Sequence, residues 1–288
     1  MQVFFYKILN FYQLDFQGRV CYPMKKGCKM NKKQKILLYF IIIFLIVIIL
    51  SPALMADGGN TTIDSFQTAK KLLEKDVYYD YRRTVYCDAE FNQDKKIKLP
   101  QGFKTDKYVS RVERIEWEHI VPAENFGRTF SEWRGGHPDC QTLKGESFKG
   151  RKCAEEVNRD YRLMQADMYN LYPAIGAVNA MRQNYNFTQF QEDIQNSFGS
   201  CEMKIQDKKA EPPARARGII ARAYLYFDDV YRRYQMSDSQ RKLMTAWDKL
   251  YPVEEWECKR TCRIEKIQGN QNNIIRQRCQ NLNIWNCN

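Results

Sequence analysis

An uninterrupted apolar run at 37–50, LLYFIIIFLIVIIL, divides this 288-residue chain into two unlike parts. It follows the basic stretch Met30-Asn31-Lys32-Lys33-Gln34-Lys35. A short basic region before an apolar core is the pattern of a signal peptide. The run is shorter than a usual membrane span, although SPALMA behind it extends it to about twenty residues. The expectation is a leader over residues 1–56, cut after Ala56, with Met30 as an alternative start. Retention as a membrane anchor is the alternative fate. Residues 57–288 are expected to form one domain, since no linker or repeat interrupts them.

Ten cysteines occur, two of them, Cys21 and Cys28, in the leader. The other eight are Cys87, Cys140, Cys153, Cys201, Cys258, Cys262, Cys279 and Cys287. An even set behind an export signal points to disulfides, and spacing alone leaves the pairing open. The only histidines are His119 and His137, which excludes a metal site built from three or four imidazoles. Any imidazole general base is therefore one of these two. The net charge of +12 is misleading. Much of it sits in the leader, and the modest remainder permits a polyanionic partner without requiring one.

Helical spacing dominates the mature part. Phe66, Ala69, Leu72, Leu73 and Val77 share one face, with Asp64 as a candidate cap. Gly218–Tyr234 carries a broad apolar stripe behind Pro212 and Pro213, where missing amide donors cost least. Ser237 and Gln240 suit a capping box for a helix ending before Pro252. A further helix is expected over Asp160–Leu171, limited by Pro173. Strand signals are fewer, at Thr84–Cys87 and loosely at Tyr108–Ile115. Residues 127–150 read as a long polar loop, a kind that is usually functional or mobile. The fold class expected is α+β, mainly helical.

Chemistry concentrates at Glu116-Trp117-Glu118-His119-Ile120-Val121-Pro122. A carboxylate holds hard divalent cations, and a neutral imidazole takes a proton from water. Adjacent residues of a regular strand face opposite sides, so Glu118 and His119 serve one site only if the strand ends or bends there. Downstream, Asn170 offers an amide oxygen. His119, a carboxylate and an amide oxygen together make the outfit of a one-metal phosphodiesterase.

These words, in this order, resemble the bacterial endonuclease I family, periplasmic or secreted nonspecific nucleases of the His-Me finger (ββα-metal) superfamily. The matching stretches are RIEWEHIVPAENFG at 114–127, GRKC at 150–153, ADMYNLYPAIGAVN at 166–179, AEPPARARG at 210–218 and YPVEEWEC at 251–258. The resemblance spans residues 66–280 and implies a ββα-metal motif embedded in a mainly helical single domain. It implies Glu118 as a metal ligand, His119 as general base and Asn170 as the second protein ligand. The family's catalytic arginine falls on Arg151 in Gly150-Arg151-Lys152, with an insertion around 137–149. A rival alignment places His137 there. The resemblance also implies pairing of Cys258 with Cys279. Cys140 with Cys153 is a plausible staple of the loop. The family's YCGC word stands here as Tyr86-Cys87-Asp88-Ala89, so one usual disulfide is not expected. Cys262 and Cys287 are additional.

The expected activity is Mg²⁺-dependent endonucleolytic hydrolysis, with Mn²⁺ or Ca²⁺ able to occupy the site. The partners expected are double- and single-stranded DNA, and RNA, bound through phosphates by a monomer. A membrane is involved only through an uncleaved leader. Arg128, Arg134, Lys149, Arg151, Lys152, Arg159 and Arg182 are the candidate phosphate contacts. The competing classes are a catalytically inactive secreted nucleic-acid-binding protein and an interaction module of the cell envelope. The location expected is the periplasm or the exterior.

Overall fold

The chain divides into two compact units, Met1–Ala56 and Asp57–Asn288. The structure, a computed structural model, describes residues 58–287 and, in the first unit, residues 13–14, 20–21 and 39. Apart from residue 39, the expected signal segment and its cut lie outside the described residues. In the first unit Gln13–Leu14 pairs antiparallel with Val20–Cys21. Among the described residues no helix is long and apolar enough to cross a membrane.

The second unit is mainly helical, with short sheets. Helix α1 (Phe66–Leu72) is capped by Ser65, whose hydroxyl accepts from the Thr68 N–H at 3.2 Å, one residue past the expected Asp64. A π-helical turn, Leu73–Val77, continues it and buries Leu73 and Val77. A hairpin of β1 (Glu90–Phe91) and β2 (Ile97–Lys98) follows. Strand β3 (Ile115–His119) then leads into α2 (Ala123–Gly127), α3 (Ser131–Gly135), α4 (Arg151–Val157) and α5 (Arg159–Gln165). The chain returns as β4 (Leu171–Ile175), antiparallel to β3 with Glu118 opposite Tyr172 and His119 opposite Leu171. Helix α6 (Gly176–Arg182) completes a strand-strand-helix unit. Beyond it, β5 (Asn186–Phe187), β6 (Lys204–Gln206) and β7 (Lys209–Glu211) form a small sheet in the order β5-β7-β6. Four helices close the unit: α7 (Ala214–Val230), α8 (Asp238–Leu250), α9 (Glu255–Gln268) and α10 (Asn273–Asn281).

Three expectations are corrected. No strand forms at Thr84–Cys87, because the segment turns there, and Val85 gives its N–H to the Pro173 carbonyl at 2.8 Å. The expected strand at Tyr108–Ile115 is a 3-10 turn, Val109–Arg111, with β3 starting only at Ile115. Tyr108 takes the left-handed conformation, φ 55°, which breaks an extended run. The expected helix over 160–171 splits into α5, a 3-10 turn at Met168–Asn170 and β4. Its cause is buried polar demand. Asp167 leaves helical geometry to accept from the Tyr169 N–H and the hydroxyls of Tyr226 and Tyr231. Arg260, fully buried, donates to the carbonyls of Met168 and Leu171 and to the hydroxyls of Tyr78 and Tyr172. An unpaired group at such depth would cost several kcal/mol, so this network fixes where β4 begins.

The disulfides Cys140–Cys153 and Cys258–Cys279 form as expected. Cys87 pairs with Cys201 and Cys262 with Cys287, so all eight cysteines of the second unit are cross-linked. The loop expected over 127–150 contains one short helix, α3. Its tip is a tight turn in which the Thr142 hydroxyl accepts from the N–H groups of Lys144 and Glu146.

Candidate active site

A cleft of about 890 Å³ opens over the ends of β3 and α6, with α1 along one side and the start of α4 on another. Glu118, His119, Arg151 and Asn179 all line it. Neighbouring Glu118 and His119 share it because β3 ends at His119, where the strand's alternation stops.

Glu118 is buried, and its Oε1 accepts from the Tyr86 hydroxyl at 2.8 Å and from Arg182 at 2.9 Å. Burial raises its carboxyl above the usual carboxylate range, and the Arg182 guanidinium and the Tyr86 hydroxyl offset only part of that rise. Oε2 receives no hydrogen bond from the described residues. Arg182 also donates to the carbonyls of His119 and Ile120. It is fully buried, so the sequence-based reading of Arg182 as a phosphate contact is corrected. Its work is to hold the end of β3.

His119 sets its Nε2 2.8 Å from the Gln165 carbonyl oxygen. A carbonyl only accepts, so Nε2 carries the proton and Nδ1 is the free basic nitrogen. Burial, reinforced by the charge of Arg151, pulls the imidazole down to about 3, so it is neutral at physiological pH. Phe66 of α1 lies against the ring, centroids 4.9 Å apart. Arg151, the first residue of α4, sits 5.8 Å from the same phenyl ring. No carboxylate forms an ion pair with Arg151 among the described residues, so its charge is available to a phosphate. His137 does not line the cleft; it is surface-exposed and accepts from the Asp139 N–H.

Asn170 is placed differently from its expected role. Its Oδ1 accepts from the Val121 N–H at 2.7 Å and its Nδ2 donates to the Val121 carbonyl at 3.0 Å. The side chain is fully buried and is not part of the cleft wall. Its amide staples the chain leaving β3. The amide that reaches the cleft is Asn179 on α6, whose Nδ2 donates to Glu116 Oε2 at 2.9 Å. Its Oδ1 has no hydrogen-bond partner among the described residues. Asn179 stands at the end of the ADMYNLYPAIGAVN word. Finding it requires knowing that the helix of this motif starts at Gly176.

The donor set suits a hard divalent cation. Glu118 Oε2 and Asn179 Oδ1 are oxygens, the cleft offers no thiolate, and magnesium accepts few protein ligands. Among the described residues no group of three or more His, Cys, Asp or Glu side chains could hold a metal, and a carboxylate with an amide oxygen is a sparser set than that. Sequence reasoning also missed Lys70, Lys71, Lys95 and Arg114, which line the cleft beside Arg151. The lysines come from α1 and the hairpin, distant in sequence from the words that carry Glu118, His119 and Arg151, whereas Arg114 opens the first of those words.

The endonuclease I family model matches residues 64–279. An extracellular deoxyribonuclease of Aeromonas hydrophila is 39% identical over 226 residues, covering 76% of this chain and 90% of that protein. A periplasmic deoxyribonuclease of the same organism is 35% identical over 259 residues, covering 87% of this chain and all of the relative. Endonuclease-1 of Buchnera aphidicola from Acyrthosiphon pisum is 37% identical over 225 residues, covering 76% and 83%.

Proposed function

Because the chain belongs to the endonuclease I family, we propose that it is a secreted or periplasmic endonuclease that hydrolyses phosphodiester bonds in DNA and RNA with Mg²⁺ as its metal. Metal dependence comes with the family, and the choice of Mg²⁺ is supported by the two free oxygen donors. The observation that carries the reading is a neutral imidazole with one free nitrogen, in the same cleft as those donors and as a guanidinium that no carboxylate pairs with among the described residues.

In this reading Glu118 and Asn179 hold the metal, Asn179 taking the role first assigned to Asn170. When bound, the cation supplies positive charge against the phosphoryl and leaving oxygens. His119 Nδ1 accepts the proton of the attacking water while Gln165 holds Nε2–H and so fixes the ring's aim. Arg151 forks onto phosphate oxygens and stabilises charge growing on phosphorus. Lys70, Lys71, Lys95 and Arg114 draw the polyanion in. Contacts to phosphate give affinity without sequence choice.

The test is cleavage of plasmid DNA and of RNA by the oxidised, folded protein with Mg²⁺ or with chelator. Cleavage of both polymers, abolished by chelation, is expected. Nucleic-acid binding without turnover at any Mg²⁺ concentration would instead select the catalytically inactive alternative.

A further inference from the structure

Resting on the reading of Asn179 as a metal ligand, we infer that Glu116 is a positioning residue that fixes which end of the Asn179 amide faces the metal. An asparagine side chain can present either NH₂ or oxygen, and only the oxygen ligates a cation. Glu116 removes the choice. A carboxylate held between arginines only accepts, so the NH₂ must turn to it and Oδ1 must turn the other way.

Glu116 is built for that use and not for ligation. Both of its oxygens are occupied: Arg111 Nε donates to Oε1 at 2.8 Å, the Arg111 fork closes on Oε2, and Asn179 donates to Oε2. Arg114 adds a longer contact at 3.8 Å. Glu118, two residues along β3, keeps one oxygen open. The two carboxylates of one strand therefore divide the work, one meeting the cation and the other orienting its second ligand. The backbone keeps room for the arrangement. A Cβ at Gly176 would stand 2.9 Å from Glu116 Oε1 and 2.6 Å from the Arg111 carbonyl oxygen, so only glycine fits where α6 begins.

The experiment is calorimetric titration of Mn²⁺ into the oxidised protein, wild type against Glu116→Gln, Asn179→Asp and the double variant. A glutamine offers its own NH₂ as readily as its oxygen and leaves the asparagine unconstrained. Outer-shell partners of metal ligands contribute roughly 10–100-fold in affinity, and a loss of that size is expected for Glu116→Gln. An aspartate at 179 has no wrong end. In the Asn179→Asp background Glu116→Gln should therefore weaken Mn²⁺ binding no further, and relief of like charge should strengthen it. A merely structural role for Glu116 would instead lower affinity in both backgrounds, and that outcome overturns the inference. Wild-type affinity in folded Glu116→Gln overturns it too. Glu116→Ala, which adds no bulk, gives the same reading if the isostere misfolds. Undiminished Mn²⁺ binding by Asn179→Ala would strike at the ligand assignment itself and is recognisable as a separate failure.

Discussion

At the residue scale, two asparagines in one sequence word stand in different surroundings, Asn170 buried on Val121 and Asn179 at the cleft wall. Asn170→Ala removes two buried hydrogen bonds and leaves the Val121 N–H without its acceptor. A loss of about 1–3 kcal/mol is expected, read as a lowered denaturation midpoint. Asn179→Ala removes a single part-buried hydrogen bond, to Glu116, at the cleft wall. It should cost about 1 kcal/mol or less of stability and raise the metal concentration needed for half-maximal rate. Equal destabilisation by the two would remove the distinction. His119 carries a second expectation. Truncation to alanine should cost about 10²–10⁴ in turnover, with nucleic-acid binding nearly intact. Because burial holds its imidazole down to about 3, the rate should show no acid limb near 6.5. The sign for stability follows from the same shift. The unfolded chain takes up a proton below the ordinary 6.5 and the folded chain does not. This contribution is therefore full above 6.5 and is lost as pH falls toward 3. A rate–pH profile with an inflection at 6.5 would put a different group in the base role.

At the element scale, the critical device is α4, which begins at Arg151 and is cross-linked in its first turn by Cys140–Cys153. Closing so short a loop contributes about 3 kcal/mol to stability. We expect Cys140→Ser with Cys153→Ser to lower turnover more than this loss of stability accounts for. Full activity in the folded double variant would detach the staple from Arg151. Arg151→Ala should slow cleavage by about 10²–10³ at saturating substrate, and His137→Ala should change it little. The reverse pattern would restore the rival alignment. That Glu118, His119 and Arg151 meet in one cleft was legible in the sequence, from their residue types and the words that carry the resemblance. Asn179 was not, since choosing it requires knowing that residues 166–175 form a turn and a strand. That break is imposed by Asp167, whose partners Tyr226 and Gln268 lie on α7 and α9, and by Arg260 of α9, which reaches back to the carbonyls of Met168 and Leu171. A charge count has no access to depth, which is why buried Arg182 read as a surface cation. The stripes on α1, α7 and α8 were legible because helical periodicity is local. Even there the boundaries moved, as Ser65 and Pro213 took the caps.

At the scale of the whole molecule, the basic residues around the cleft come from α1, the hairpin region, the approach to β3 and α4, so affinity for a polyanion belongs to the assembled fold. Raising salt from about 50 to 200 mM should weaken nucleic-acid binding steeply. Lys70→Gln with Lys71→Gln should flatten that dependence while sparing turnover at saturation. A salt slope unchanged in the double variant would place the track of the strand elsewhere. The chain leaves β3 at Ile120 and returns at Leu171 to pair with the very strand it left. Whatever happens at the far end of this excursion, the register of Glu118 with Tyr172 is set at its base. Doubling the length of a loop costs only about 0.6 kcal/mol in closure entropy. Its tip at Leu143 is fully exposed, and Cys140–Cys153 ties it off from the frame beneath. The tip is thus a natural port for cargo: an epitope, a targeting peptide or a second folded module grafted at 143–144 would ride on the enzyme while the catalytic geometry stayed in place.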